Sequence, residues 1–192
     1  MARPRTFDED QVLDSAMDVF WRKGYAATTP QDLVDELGLG KGSLYNAFGG
    51  KRALFDRALT RYRDTQAVRL TELLEGPGPV RARIREALRL LVELDFTDSD
   101  RRGCMAVNTA TELARSDPAA AETVRRMFAR TEQAFLAELQ KAQRAGEIDA
   151  ARDVRALASL LLGAVIGMRV LAKTADGRAQ VERVVDGLLD TL

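Results

Sequence analysis

An all-α fold is predicted by three features of the 192-residue sequence. Apolar residues recur at intervals of three and four, the spacing of a helix's buried face. Alternating β-branched runs, the mark of strands, are absent. Prolines number only five; four of them stand at helix starts or in one linker, where a missing N–H costs nothing.

The predicted first helix runs from about Asp8 to Lys23. Asp8 can cap it with Gln11 three residues on, and Thr6 with Glu9 forms an equally legal capping box. Val12, Leu13, Ala16, Val19 and Phe20 make one buried stripe, and Gly24 ends the helix. Thr29-Pro30 opens the second helix as N-cap and first-turn proline. Leu33, Val34 and Leu37 form its apolar face before Gly38 stops it. After Gly38-Leu39-Gly40, Lys41 to Phe48 spans two turns. Leu44 and Phe48, four apart, face inward, leaving Ser43, Tyr45, Asn46 and Ala47 over the outer faces.

Gly49-Gly50 breaks that helix, and a long fourth one is expected from Lys51 to about Leu74. Gly76-Pro77-Gly78-Pro79 is the clearest linker signal. Five more helices follow: Val80 to Phe96, Arg102 to Ala114, Asp117-Pro118 to about Ala145, Asp153 to about Lys173, and Arg178 to Leu192. The total is nine. Because the fourth helix spans both parts, the functional division is placed within it: residues 1–56 form an N-terminal domain and residues 57–192 a C-terminal one.

Composition removes several function classes. Histidine is absent, and Cys104 is the single cysteine. Ser-His-Asp and Cys-His arrangements, cysteine zinc sites and internal disulfides are therefore excluded. Glu112 with Asp95 has neither motif spacing nor a supporting electrophile, so no catalytic residue, metal or cofactor is assigned. The apolar run from Leu157 to Val170 carries Ser159 and Arg169 and is too short for a membrane span. No signal peptide is visible, and a cytoplasmic, soluble chain is expected.

The formal net charge is zero, so a nucleic-acid partner must be argued from local asymmetry. Between Leu39 and Arg63, six cations (Lys41, Lys51, Arg52, Arg57, Arg61 and Arg63) face one acid, Asp56. Gly24 to Leu54 reads as a helix-turn-helix, which lays its second helix in the major groove. Lys41 supplies a mobile positive charge at the start of that helix, beside Gly42. Ser43 and Tyr45 can donate to phosphate oxygens, and Asn46 can pair with adenine. Lys51, with the free N–H groups of the fourth helix, can hold one phosphate. Thr29 and Gln31 should approach the neighbouring backbone, and Arg3 and Arg5 suit a basic arm. Trp21 is expected in the core.

The motif residues are Gly24-Tyr25, Thr28-Thr29, Leu33, Gly38-Leu39, Gly42-Ser43-Leu44-Tyr45, Phe48 and Lys51-Arg52-Ala53-Leu54. Together they resemble the tetracycline-repressor (TetR) family of bacterial transcription regulators, strongly over residues 8 to 60. Gly49-Gly50 departs from the family's glycine-serine-lysine pattern and loses a hydroxyl cap. The resemblance implies a homodimer on a double-stranded, palindromic DNA operator, with a small-molecule inducer of its own.

It also implies that the last two helices form the dimer interface. Several apolar faces on the eighth helix suit this reading, and Leu161, Gly163, Ala164, Gly167, Val181, Val185 and Leu188 are assigned there. The remaining helices should enclose a ligand pocket. Asn108, Thr111 and Glu112 share one helical face that can line it, with Phe96, Met127, Phe128, Phe135 and Met168. Cys104 follows Arg101-Arg102-Gly103 at a predicted helix start, and both features favour the reactive thiolate. The stretch is similar to the electrophile- and oxidant-sensing branch of the family, in which such a cysteine lies near a lysine ending the eighth helix, here Lys173. The competing reading is a helical protein–protein adaptor that has lost DNA binding; the intact Lys41, Tyr45 and Lys51 set argues against it.

Overall fold

The computed structural model describes residues 7–192, apart from the side chains of residues 66 and 67. Nine helices and no strand occur among the described residues: α1 Glu9–Lys23, α2 Pro30–Leu37, α3 Lys41–Phe48, α4 Lys51–Leu74, α5 Val80–Thr97, α6 Met105–Leu113, α7 Pro118–Arg144, α8 Val154–Thr174 and α9 Ala179–Leu189.

Capping chemistry explains most of these boundaries. Asp8 accepts from the Asp10 and Gln11 amides, so the Asp8 cap forms; its rival Thr6 and the arm residues Arg3 and Arg5 lie outside the described residues. Thr29 and Asp32 cap each other reciprocally at α2. Asp117 and Asp153 cap α7 and α8. The start of α5 is capped from a distance, by Glu147 accepting from the Val80 amide at 2.7 Å.

The start of α6 differs from expectation. A helix from Arg102 is precluded because Arg101 and Gly103 both adopt positive φ, 45° and 67°, outside the right-handed helical region. Gly103 is also tightly enclosed: a Cβ there would stand 3.0 Å from the Arg169 carbonyl oxygen. The result is a bend over residues 101–104 that leaves Cys104 as the N-cap of α6.

Two apolar cores form. The first joins α1–α4 to α6 and the N-terminal half of α7 around Phe20, Leu33, Leu44 and Phe55. The second packs α5, the rest of α7, α8 and α9 around Ile84, Phe135, Leu139 and Leu161. Both α4 and α7 run through the two cores, so packing is continuous across the expected division near residue 57.

Part of the expected dimer interface is spent inside the chain. Leu161, Val181, Val185 and Leu188 are buried in the second core. Their stripe faces α5 and α7, which already satisfy its need for burial. Gly163 and Gly167 have nothing within 4 Å of where a Cβ would stand, and Leu160 and Val170 are exposed at 46% and 45%, whereas Ala164 packs at the edge of the second core. By length and composition α8, at 21 residues, could cross a membrane. Its packing against α5, α7 and α9, and its buried Arg169, are instead those of a core helix.

Candidate nucleic-acid interface and effector cavity

The outer face of α3 carries Lys41, Gly42, Ser43 and Asn46, all exposed, while Leu44 and Phe48 anchor the helix from beneath. Tyr45 is half-buried and packs at the edge of the first core. Neither α3 nor α4 has a side-chain cap, since Gly40 and Gly50 precede them. Their first-turn N–H groups are therefore open to an anion. Lys51 stands at the first position of α4, its ammonium 4.4 Å from the centre of the Tyr25 ring. That contact fixes the charge beside the open helix end.

Two predicted contacts are committed elsewhere in the free protein. The Thr29 hydroxyl belongs to the α2 capping box, and the Gln31 amide donates to Asp35 at 2.6 Å. Both residues remain exposed at the rim of α2.

The basic stretch is a larger correction. Arg57 pairs with Glu9 at 2.6 Å and Arg61 with Asp14 at 2.8 Å, both tying α4 to α1. Arg52 bridges Asp56 and the α7 cap Asp117, and Arg63 holds Asp64. These arginines bind the protein to itself. In the described part of the head (residues 7–56), Lys41 is the cation with neither an ion pair nor a ring contact.

Beyond these pairs from α4 to α1, four contacts clamp the head to α6, α7 and the bend before α6. Glu112 of α6, expected in the pocket, instead accepts from the Tyr25 and Ala26 amides at 3.0 and 2.6 Å, just beyond the end of α1. Arg52 reaches Asp117. Arg102 binds Asp18 at 2.9 Å and lies 4.4 Å from the Trp21 ring centre. Trp21, half-buried and edge-on to Tyr62, donates its indole N–H to the Gly103 carbonyl at 3.1 Å.

Gly24 makes the Glu112 clamp possible. Its φ of 79° and ψ of 171° are tolerated essentially by glycine alone, and a Cβ there would stand 2.8 Å from a Glu112 oxygen. Gly24→Ala is expected to cost about 1–3 kcal/mol, read as a fall in melting temperature of about 2–4 °C per kcal/mol. An unchanged melting temperature would count against the clamp.

The Gly103 carbonyl has a second donor, Arg169 of α8, at 2.6 Å. Arg169 also pairs with Asp95 of α5 at 3.1 Å, and both side chains are buried. Burial raises the Asp95 carboxyl to about 6, outweighing the lowering by Arg169. Between about pH 4 and 6 the folded chain therefore holds a proton that the unfolded chain releases. Stability from this group is largest at low pH and falls by roughly 3 kcal/mol as pH rises through that window. Asp95→Asn should remove that fall, as followed by urea midpoints from pH 4 to 7.

A cavity of about 110 Å³ opens beside this junction, with room for several waters. Tyr62, Cys104, Met127, Phe128, Ile166 and Arg169 are among its walls. Of the predicted pocket and sensor residues, Cys104, Met127 and Phe128 are therefore in place. The Tyr62 hydroxyl lies 3.4 Å from the Cys104 sulfur, and burial pushes that hydroxyl well above its ordinary range.

The other predicted pocket residues turn away. Asn108 donates to the Arg102 carbonyl and accepts from Lys173 at 2.8 Å, so Lys173 is engaged by an amide and not by the thiol. Thr111 bonds back to its own helix. Met168 and Phe135 belong to the second core, and Phe96 packs under Arg101. Arg101 and Arg102, expected beside the thiol, point to Ala175 and to Asp98 with Asp18. Arg169, sixteenth in a helix far along the chain, was invisible as a site residue because its only sequence signal is one charge in an apolar run.

Comparison with known proteins supports this architecture. Residues 12–58 match the profile "Bacterial regulatory proteins, tetR family", and residues 82–188 match "Tetracyclin repressor-like, C-terminal domain". The chain is 32% identical to the uncharacterized HTH-type transcriptional regulator YezE of Bacillus subtilis, over the full length of both. It is 33% identical to the HTH-type transcriptional repressor ComR of Escherichia coli, covering 89% of this chain and 82% of ComR. Among solved structures, a cysteine mutant of the TetR family regulator CifR with 26-bp double-strand operator DNA superposes with a TM-score of 0.88, at 29% identity and 98% coverage of each chain. These relatives are regulators and not enzymes, and the chain belongs to the tetracycline-repressor family of helix-turn-helix transcriptional regulators.

Proposed function

We propose that this regulator is a repressor that binds a palindromic operator as a homodimer and leaves it when its effector cavity is occupied. The α3 helix lies in the major groove, with Lys41, Ser43 and Asn46 toward bases or backbone. Tyr45, Thr29, Gln31 and Lys51 reach phosphates, and the open ends of α3 and α4 receive others. Two heads are needed to read a two-fold site with half-sites roughly 34–36 Å apart. The outer face of α8, with Leu160, Gly163, Gly167 and Val170, is the reading for the dimer contact, since its glycines leave room for a partner helix. The protein acts in the cytoplasm, where its operator lies. The operator complexes of CifR and the repressor name of ComR favour this reading.

One observation carries the release step. The Gly103 carbonyl is held at once by Trp21 of the head and Arg169 of the cavity, and the next residue is Cys104. A molecule in the cavity, or one bonded to the Cys104 sulfur, shifts the shared carbonyl and with it the head. Only a difference in affinity between head spacings can drive release.

Selection from random duplex DNA tests the first half: an enriched palindrome supports the reading, and no enrichment favours the adaptor. For the second half, Cys104→Ser is expected to hold its operator under electrophiles and oxidants that release the wild type. Equal release of both proteins, in a gel-shift titration, would refute the sensor role.

A further inference from the structure

The cavity's charged groups share one sign. Its floor is apolar, built of leucines from α4 and α5 and side chains from α6–α8, with Tyr62, Cys104 and Thr131 as neutral polar groups. Its charged walls are Arg63, Arg130 and Arg169, and no carboxylate lines it among the described residues. Arg169 is already spent on Asp95 and on backbone carbonyls inside. Arg63 and Arg130 differ. They come from α4 and α7, two helices packed against each other, and both are solvent-accessible. Asp64, the acid near them, is not among the cavity walls and accepts from the Arg63 Nε and Nη2. Arg130 has no ion pair or hydrogen bond among the described residues, although it adds to the field that lowers Asp64. Two cations thus share one carboxylate, and a net positive charge remains at the rim of an apolar hole.

We infer that the effector is a compact apolar acid, its hydrocarbon body filling the cavity toward Cys104 and its carboxylate held at the rim by Arg130 and Arg63. An amine is excluded by the same cations. A neutral isostere fills the floor equally well but leaves the rim unsatisfied, so the head group decides selectivity. A planar guanidinium suits a carboxylate because it can donate two parallel hydrogen bonds. The inference rests on the reading of this cavity as the effector site, but not on the reactivity of Cys104.

The test compares matched ligands on the full-length protein without DNA. Hexanoate and benzoate, hexanamide and benzamide, and hexylamine are titrated calorimetrically at low salt. The carboxylates are expected to bind at least tenfold more tightly than their amides, hexylamine not measurably, and the preference to shrink with added salt. Arg130→Ala and, separately, Arg63→Ala should each reduce the acid-over-amide ratio several-fold while the amide affinity stays within twofold. Cys104→Ser should leave the ratio unchanged. Equal binding of acid and amide, a ratio that survives both arginine substitutions, or no binding by any of the five compounds would overturn the assignment. A gel shift with operator keeps the two readings apart. A carboxylate that binds with the expected ratio yet leaves operator bound refutes release through this cavity and sustains the head-group assignment. Release by the amides alone does the reverse.

Discussion

Lys51→Ala is expected to weaken operator binding by about ten- to a hundredfold per reading head, the range for one lost charge-assisted hydrogen bond. The size of the effect follows from how little other charge the head offers. Arg52, Arg57 and Arg61 are consumed by Asp117, Glu9 and Asp14. Lys51 stands over the Tyr25 ring at the uncapped start of α4, so a phosphate placed there would meet both a fixed ammonium and free N–H groups. Removing a phosphate contact should also lower the slope of log affinity against log salt by about one per head. Arg57→Ala gives the contrast: it lacks such a contact and should leave that slope unchanged while loosening α1 from α4. If Arg57→Ala flattens the salt dependence as much as Lys51→Ala, the assignment of free and internal cations is wrong.

Arg169→Met is expected to cost roughly 3–5 kcal/mol at pH 8, the range for removing one partner of a buried ion pair. The substitution preserves most of the volume and the apolar stem, so lost packing contributes little. What remains is a buried Asp95 without its counter-charge and a Gly103 carbonyl reduced to the Trp21 donor. At pH 5 the loss should be smaller, because Asp95, already raised to about 6, takes up a proton in place of the lost arginine. Urea midpoints at the two pH values decide the matter. A loss of equal size at both would remove Asp95 from the account.

The helices of the head were legible because their signals are local. Asp8, Thr29-Pro30, Gly38 and Gly49-Gly50 punctuate apolar stripes within a few residues, and each boundary there lies within a residue of its expected place. The α6 start was not legible, because a positive φ at Arg101 has no residue signature. The α8 and α9 stripes were ambiguous for a different reason. An apolar face announces that it is buried, not what buries it, and Leu161, Val181, Val185 and Leu188 meet their own chain. Charged partners were the least readable. Glu112 meets the Tyr25 amide across 87 residues, and Arg61 meets Asp14 across 47; no short-range pattern encodes such pairs. A run of arginines in sequence therefore reads as a grip on DNA, whereas the fold sets Glu9 and Asp14 of α1 opposite Arg57 and Arg61.

The two cores threaded by α4 and α7 bear on how this protein can be taken apart. Met105, Leu113 and Val124 supply one wall of the first core, so residues 1–56 cut free would expose the apolar surface those side chains cover. The head is not an excisable module. It should melt together with the rest in one cooperative transition. A head transplanted from another regulator would function only if the recipient also offered equivalents of Glu112, Asp117 and the Gly103 carbonyl to receive it. Exchange of operator specificity between relatives is thus expected to be confined to the outer face of α3, where Lys41, Ser43 and Asn46 are exposed.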